Sequence, residues 1–496
     1  MLLPCNPGGH AAYQDTFVSE FLKFYPDPFV LPKGTWDYII QFWYLDLSLT
    51  DSVMQECYSV FGPEPRLPSS MLRSYLLALK LKVTSITVWC RMLRETPLYA
   101  ILSGFRFGDT PGIGTFYDFF SRIWQDDSNN LSPNDRFPKM KPPKGKKKGD
   151  KTPCDSASIA SRLLPLLERW QLKPQNPFWL VFKLYNQQFL VKSIERGLID
   201  PARLSLAGDG TPVRTAAQQR RKRLCKCLEE NGRHSCSCKR LYSQPDCNWG
   251  WDSHRECYFF GYHLYMYVAS DSFSDLPVFP LLERASRHDI LSFLHSFFTM
   301  KAYLPEFRIE KLLLDSAHDA YPVYDYCRRE DIAPFIDLNP GHSGHFTYKD
   351  DFSIGDDGIP ICKMGFRMRK DGYEAAKHRA KYRCPKANRL KGCFCDHPCS
   401  PAKYGRTVHI YTSDNPRLFN IPPRNSKAWE KEFDRRTSAE RSNKREKEDY
   451  KLEDGRHRST KMWYCRLYGI MMLQHLDAWE MPSAEAFQKS LLSLTA

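Results

Sequence analysis

Residues 203–213 read Arg203-Leu204-Ser205-Leu206-Ala207-Gly208-Asp209-Gly210-Thr211-Pro212-Val213. An apolar run of strand length leads into a lone carboxylate and a glycine, which predicts a buried strand with Asp209 at its carboxyl end. Tyr258 to Ser270, aromatic and β-branched, predicts a second strand, and Pro277 to Leu282 a third. Arg287-His288-Asp289 then opens a helix through Ile290, Leu291, Phe293, Leu294, Phe297 and Phe298. Ile309 to Leu314 is a short apolar strand running into Asp315, and Ala333 to Leu338 is another. Three strands, a helix, a strand, a helix and a strand make the order of a mixed α/β core. Carboxylates at the carboxyl ends of buried strands sit where α/β sheets gather their chemistry.

Working outward, residues 1–135 read as a helical N-terminal domain. Leu72, Tyr75, Leu76, Leu79 and Leu81, then Ile86, Trp89, Met92 and Leu93, recur at three- and four-residue spacing. Pro68-Ser69-Ser70 marks one helix start, and Thr115 is the expected cap of a helix through Phe116, Phe119, Phe120 and Ile123. Residues 136–200 form a basic linker and connecting helix. Seven lysines between Lys139 and Lys151 alternate with Pro142, Pro143, Gly145 and Gly149, a composition that buries no core. That stretch reads as a solvated tether, as a contact to a DNA backbone, or as both. Residues 201–340 hold the first part of the core with a cysteine-rich insertion at 217–257. Residues 341–425 are an inserted subdomain, and the helical residues 426–496 complete the core.

The chain has 496 residues, a formal charge of +15 and 17 cysteines. Its 26% charged and 14% aromatic residues are those of a folded protein rather than a disordered one. No apolar run approaches the ~18–20 residues of a membrane span. Met1-Leu2-Leu3-Pro4-Cys5-Asn6-Pro7 lacks a basic region followed by an apolar stretch, so no secretory signal is expected. An odd cysteine count without such a signal predicts a reducing compartment. The basic excess predicts a polyanionic partner, nucleic acid first. No P-loop, Gly-x-Gly-x-x-Gly or Ser-His-Asp pattern calls for a nucleotide cofactor.

Ten of the cysteines fall in two windows. Cys225, Cys227, Cys236 and Cys238 form one group, with His234 inside it and Cys247 and Cys257 downstream. Cys384, Cys393, Cys395 and Cys399 form the other, with His397 inside it. Four thiols in a short window match structural zinc sites, against the plainer reading of free thiols. Basic residues precede both: Arg220, Arg221, Lys222 and Arg223, then Arg379, Lys381 and Arg383. Each window is therefore also a candidate DNA-contact module.

Phe433, Arg436, Glu440 and Lys447 stand at offsets that, at about 100° per helical residue, fall within an arc of about 60°. The helix is strongly basic, with Arg435, Arg441, Lys444, Arg445 and Lys451 as well. The pattern Phe433-x2-Arg436-x3-Glu440-x6-Lys447 resembles the Tyr-x2-Arg-x3-Glu-x6-Lys signature of bacterial insertion-sequence transposases of the DDE type, with phenylalanine for tyrosine. Asp209-Gly210-Thr211 and Leu314-Asp315 look like that family's first and second catalytic aspartates. Residues 62–124 resemble its helical N-terminal domain.

The resemblance implies an RNase H-like mixed-sheet core cutting and joining DNA with Mg²⁺ or Mn²⁺ held by Asp209, Asp315 and Glu440. Asp209 would bridge two ions. Phe433, Arg436, Lys447, Arg441 and Lys444 would contact DNA. Trp429 would stack on an unpaired base or pack its helix on the core. Transposon ends and target DNA are the implied partners, a homodimer on DNA the implied assembly, and the bacterial nucleoid in the cytoplasm the implied location. Asp315 and Glu440 lie 125 residues apart, too far for one loop, which is why an inserted subdomain is expected between them. Asp319 competes with Asp315 as the second carboxylate. His288, His318 and His342 read as core or cap residues. The alternative function is a zinc-dependent DNA-binding protein, or a domesticated transposase without catalysis.

Overall fold

The computed structural model describes residues 9–27, 31–59, 61, 64–125, 159–169, 176–216, 222–223, 225–232, 240–241, 244, 247–339, 346–347, 352–355, 358–388, 392–393, 395–413, 415–424 and 426–493. The lysine-rich stretch 139–151, Cys236, Cys238 and His342 lie outside them.

The chain is mixed α/β, with a helical N-terminal region and one mixed sheet. The sheet's strands are β1 (Leu204–Arg214), β2 (Asn248–Asp252), β3 (Cys257–Ala269), β4 (Leu276–Arg284), β5 (Ile309–Leu314) and β6 (Ala333–Ile336). Their order is β2-β3-β1-β5-β6, with β4 also on β3. β1, β3 and β4 pair antiparallel, whereas β5 and β6 run parallel to β1. β2 and β4 share one edge of β3, β2 pairing with residues 257–261 and β4 with 262–269.

The position of Asp209 corrects the sequence reading. It lies mid-strand, opposite Met266, because pairing with β3 carries the extended backbone on to Arg214. What ends early is the other neighbour: β5 pairs with β1 only from Leu204 to Ala207. Asp209 thus sits two residues past the point where β1 loses a partner on one side, and Asp315 follows the end of β5.

The helix Thr460–Ala478 explains how the N-terminal helices join this sheet. Sixteen of its 19 residues are buried, so it has no solvent face. One side packs on β4 and the rest on the helices Pro68–Lys80, Ile113–Ile123 and Trp179–Tyr185. Gly469 permits the approach, since a Cβ there would stand 2.5 Å from Leu79 Cδ1. One apolar cluster consequently runs from Phe17 to Leu491. Pro68 does begin its helix, and the Asp51 carboxylate accepts from Ser69 N at 2.7 Å and Ser69 Oγ at 2.8 Å. Thr115 is no cap: its helix starts at Ile113 behind Gly112.

The region between Asp315 and Glu440 carries a second, separate core of Phe352, Ile354, Cys362, Met368, Ala380, Tyr382, Val408, Ile410, Leu418 and Phe419. Arg369–Glu374, Arg379–Arg383 and Thr407–Tyr411 form an antiparallel sheet there. The basic flank Arg379, Lys381 and Arg383 is engaged on that sheet, Arg379 with Glu374 and the other two with Asp371. Among the described residues no helix is long and apolar enough to cross a membrane.

Candidate active site

Three elements deliver the expected carboxylates to one region. Asp209 comes from β1, Asp315 from the end of β5, and Glu440 from a helical rod laid across the sheet. The rod is not the uniform α-helix that the spacing assumed. It runs as α-helix Lys427–Phe433, a 3₁₀ turn Asp434–Arg436, α-helix Thr437–Lys444 and a π turn Arg445–Asp449. Arg436, Glu440 and Lys447 nevertheless face the site. Arg436 Nη1 donates to Glu440 Oε1 at 2.7 Å, and Lys447 Nζ donates to Thr211 Oγ1 at 2.6 Å, two residues along from Asp209. Phe433 supports Arg436, whose guanidinium lies 5.5 Å from the ring centroid.

The sequence reading missed several members. Asn443 Nδ2 donates to Asp209 Oδ2 at 3.1 Å; it stands three residues after Glu440, on the same helix face, and that period was the available signal. His318 is more than a core residue. Its Nδ1 lies 2.5 Å from Asp315 Oδ1 and its Nε2 2.8 Å from the Tyr265 hydroxyl, so it links Asp315 to β3. Asp315 Oδ1 also accepts from Ala317 N. Asp289, first residue of the helix Asp289–Tyr303, pairs with His263 Nε2 at 2.8 Å and adds a fourth acid. His288 caps that helix, accepting from Ile290 N.

Other expected residues are placed elsewhere. Trp429 is buried, stacked on Phe433 at 4.6 Å, beside Phe335, with the Arg424 guanidinium 5.4 Å away. Those contacts fit the packing role and leave no open face for a base. Arg441 makes a bidentate pair with Asp275, two bonds of 2.7 Å, which fixes the loop after β3. Lys444 is exposed, with Glu448 at 3.8 Å. Asp319 is fully buried in an ion pair with Arg417 (2.8 and 2.5 Å) and also accepts from Asn339 N and the Tyr324 hydroxyl. A carboxylate so saturated is structural, which leaves Asp315 as the strand-end acid facing the site.

The electrostatics separate the acids. Burial pushes the Asp209 carboxyl up to about 6, and the charges of Asp315, Asp289 and Glu440 add to it against the opposing effect of His318. Burial raises Asp315 too, but the hydrogen bond and charge of His318 outweigh it and hold Asp315 below its ordinary value. Asp289 is likewise held low, burial being outweighed by His263. Asp209 is therefore the acid of the group raised above its ordinary value, because it is buried with other carboxylates nearby. Hard oxygen donors and an under-compensated carboxylate are the donor chemistry of a Mg²⁺ site. The spacing is not yet closed: among the described residues no three His, Cys, Asp or Glu side chains form a group that could hold a metal ion. Glu440 is instead turned to Arg436.

The cysteine windows are described only in part. Cys384 is buried, Cys225, Cys227 and Cys395 are half-buried and Cys399 is exposed, while the side chain of Cys393 is outside the described set. Comparison with protein-family models, curated proteins and solved structures returns no match.

Proposed function

We propose that the chain is a DNA transposase of the DDE type with an RNase H-like core, binding element ends and catalysing strand cleavage and strand transfer. The observation that carries this reading is the convergence of Asp209, Asp315 and Glu440 from β1, β5 and the 437–444 helix, close enough for Asp315 and Glu440 to raise the Asp209 carboxyl. The strand order β4-β3-β1-β5-β6, antiparallel then parallel, supports that reading of the core.

Asp209, Asp315 and Glu440 would hold Mg²⁺ or Mn²⁺, which when bound supplies charge neutralisation at the attacking and leaving oxygens. Asn443 orients Asp209, and His318 orients Asp315. Arg436 holds Glu440 aside until a phosphate competes for its guanidinium. Lys447, whose pKa burial lowers and which donates to Thr211, would meet a phosphate beside Asp209. In cleavage, water oxygen replaces the strand's 3′-oxygen at phosphorus and a 3′-hydroxyl is released. In transfer, that hydroxyl attacks a target phosphate and displaces its 3′-oxygen.

The cysteine windows remain zinc-site proposals, and pairing two ends calls for a dimer on DNA. The binding-only alternative draws support from the unclosed acid spacing and the Arg436–Glu440 pair. A nicking assay with Mg²⁺ on DNA carrying the element's ends decides between them. The parent should nick, and Glu440→Gln should be inert. A Glu440→Gln protein that cuts like the parent removes the assigned site; a parent that binds ends without cutting selects the binding-only reading.

A further inference from the structure

The hairpin β2–β3 inverts the usual strand pattern. Its inward positions carry Gly250, Asp252 and Phe259, whereas its outward positions carry Trp249, Trp251 and Tyr258, exposed by 49%, 53% and 73%. Gly250 presses the hairpin onto the end of β4, where a Cβ would stand 2.5 Å from Ala285 O. The register pairs Trp249 with Phe260 and Trp251 with Tyr258. Both pairs meet edge to face, at 5.8 and 4.9 Å between centroids. The rings therefore form a held ladder. Burying these side chains would ordinarily stabilise the fold, so a ladder turned outward marks an interaction surface.

Two observations say what covers it. The first is continuity with the acidic site. Directly opposed residues share a sheet face, and Asp209 opposes Met266, Thr211 opposes Leu264 and Val213 opposes Tyr262. Phe260 and Tyr258 continue that alternation, so Trp249 and Trp251 lie on the face of Asp209, about 20–27 Å along the strand. The second is charge. Glu453 accepts from Arg214 N and pairs with Arg255, which ties the loop 451–458 to the hairpin. That loop presents Lys451, Arg456 and Arg458 to solvent, and Arg466 fixes its start through the carbonyls of Tyr450, Lys451 and Leu452. Aromatic rings beside exposed cations are the pairing that holds unpaired nucleotides: rings stack on bases and cations meet phosphates.

We propose that Trp249, Trp251 and Tyr258 form a stacking platform for unpaired bases of a DNA strand that reaches the Asp209 cleft over the basic loop 451–458. The proposal rests on the DNA reading above but has its own readout. The probes are a fork with a ten-nucleotide thymidine arm and a fully paired duplex of equal length, bound to the full chain and followed by fluorescence polarisation. The parent should prefer the fork. Trp249→Ala/Trp251→Ala should lose roughly tenfold in fork affinity per ring removed, with duplex binding unchanged. Trp251→Phe should retain most of it, and Tyr258→Ser should repeat the loss should the double variant not fold. Equal fork affinity in parent and variants overturns the platform, as does a parent with no preference for the fork. A parent dimer that the double variant dissolves in sedimentation also overturns it, since the rings would then face a second copy. Failure of the nicking assay with fork preference intact would remove the transposase reading and leave the platform standing.

Discussion

Asp315 and Asp319 stand four residues apart, and the structure gives them opposite surroundings. Around Asp319, two arginines, a tyrosine and a backbone amide close a dry network: Arg417 grips the carboxylate while Arg424 donates to Tyr324, Ile336 O and Arg417 O. Around Asp315, one histidine and one amide leave the carboxylate 38% exposed and facing other acids. The first arrangement joins the inserted region to the sheet. The second keeps negative charge unspent. A buried acid whose charge is fully answered holds structure together; an acid left among acids is available for a cation or for chemistry.

That contrast can be broken most readily at Asp319. Asp319→Ala removes the carboxylate that accepts from Arg417, Asn339 N and Tyr324 and should cost about 3–5 kcal/mol in urea unfolding. Asp315→Asn should cost less than about 1 kcal/mol. Equal costs would erase the distinction.

A smaller effect comes from Glu446, inside the π turn of the 427–449 rod. It is wholly buried, and burial pushes its carboxyl up to about 7, with only partial relief from Gln474 and Arg445. Because the folded value lies above the unfolded one, its contribution is full at low pH and is lost as pH rises through about 7. Glu446→Gln should therefore gain on the parent by about 1–3 kcal/mol between pH 5 and 8. Thermal melts across that range check the sign. Asp209 should differ from Glu446 in its response to cations. In metal-free buffer, adding Mg²⁺ to about ten times its Kd should stabilise the parent by ~1.4 kcal/mol. Asp209→Asn should lose that shift and Glu446→Gln should keep it. The least effect is expected at Lys444: Lys444→Ala should change stability by less than about 0.5 kcal/mol, while weakening DNA binding if that exposed cation meets phosphate.

Five of the six strands of the core sheet were legible because their cues are local, whereas Asn248–Asp252 fell inside the stretch 217–257 read as a cysteine-rich insertion. Ile309–Leu314 and Leu204–Arg214 announce themselves by apolar runs, and the Arg436-Glu440-Lys447 face by its helical period. The same period reached Lys447 even though the rod passes through a 3₁₀ and a π turn. Asp209 was misplaced at a strand end because a sequence shows where a strand is apolar, not where a neighbour stops pairing. Arg441 looked available for DNA because nothing in sequence shows Asp275 beside it, and the two readings of Trp429, stacking or packing, are separated only by Phe335 and Phe433 against its ring.

What the sequence determined alone is most of the core's elements, their order and the acids they carry, since covalent geometry fixes the period of a strand or helix. What only the tertiary structure decided is which acids remain unanswered. Asp319 is neutralised by an arginine 98 residues away, and Asp209 is oriented by an asparagine 234 residues away. A charge is satisfied by what stands within a few ångströms of it, and chain folding alone sets those distances.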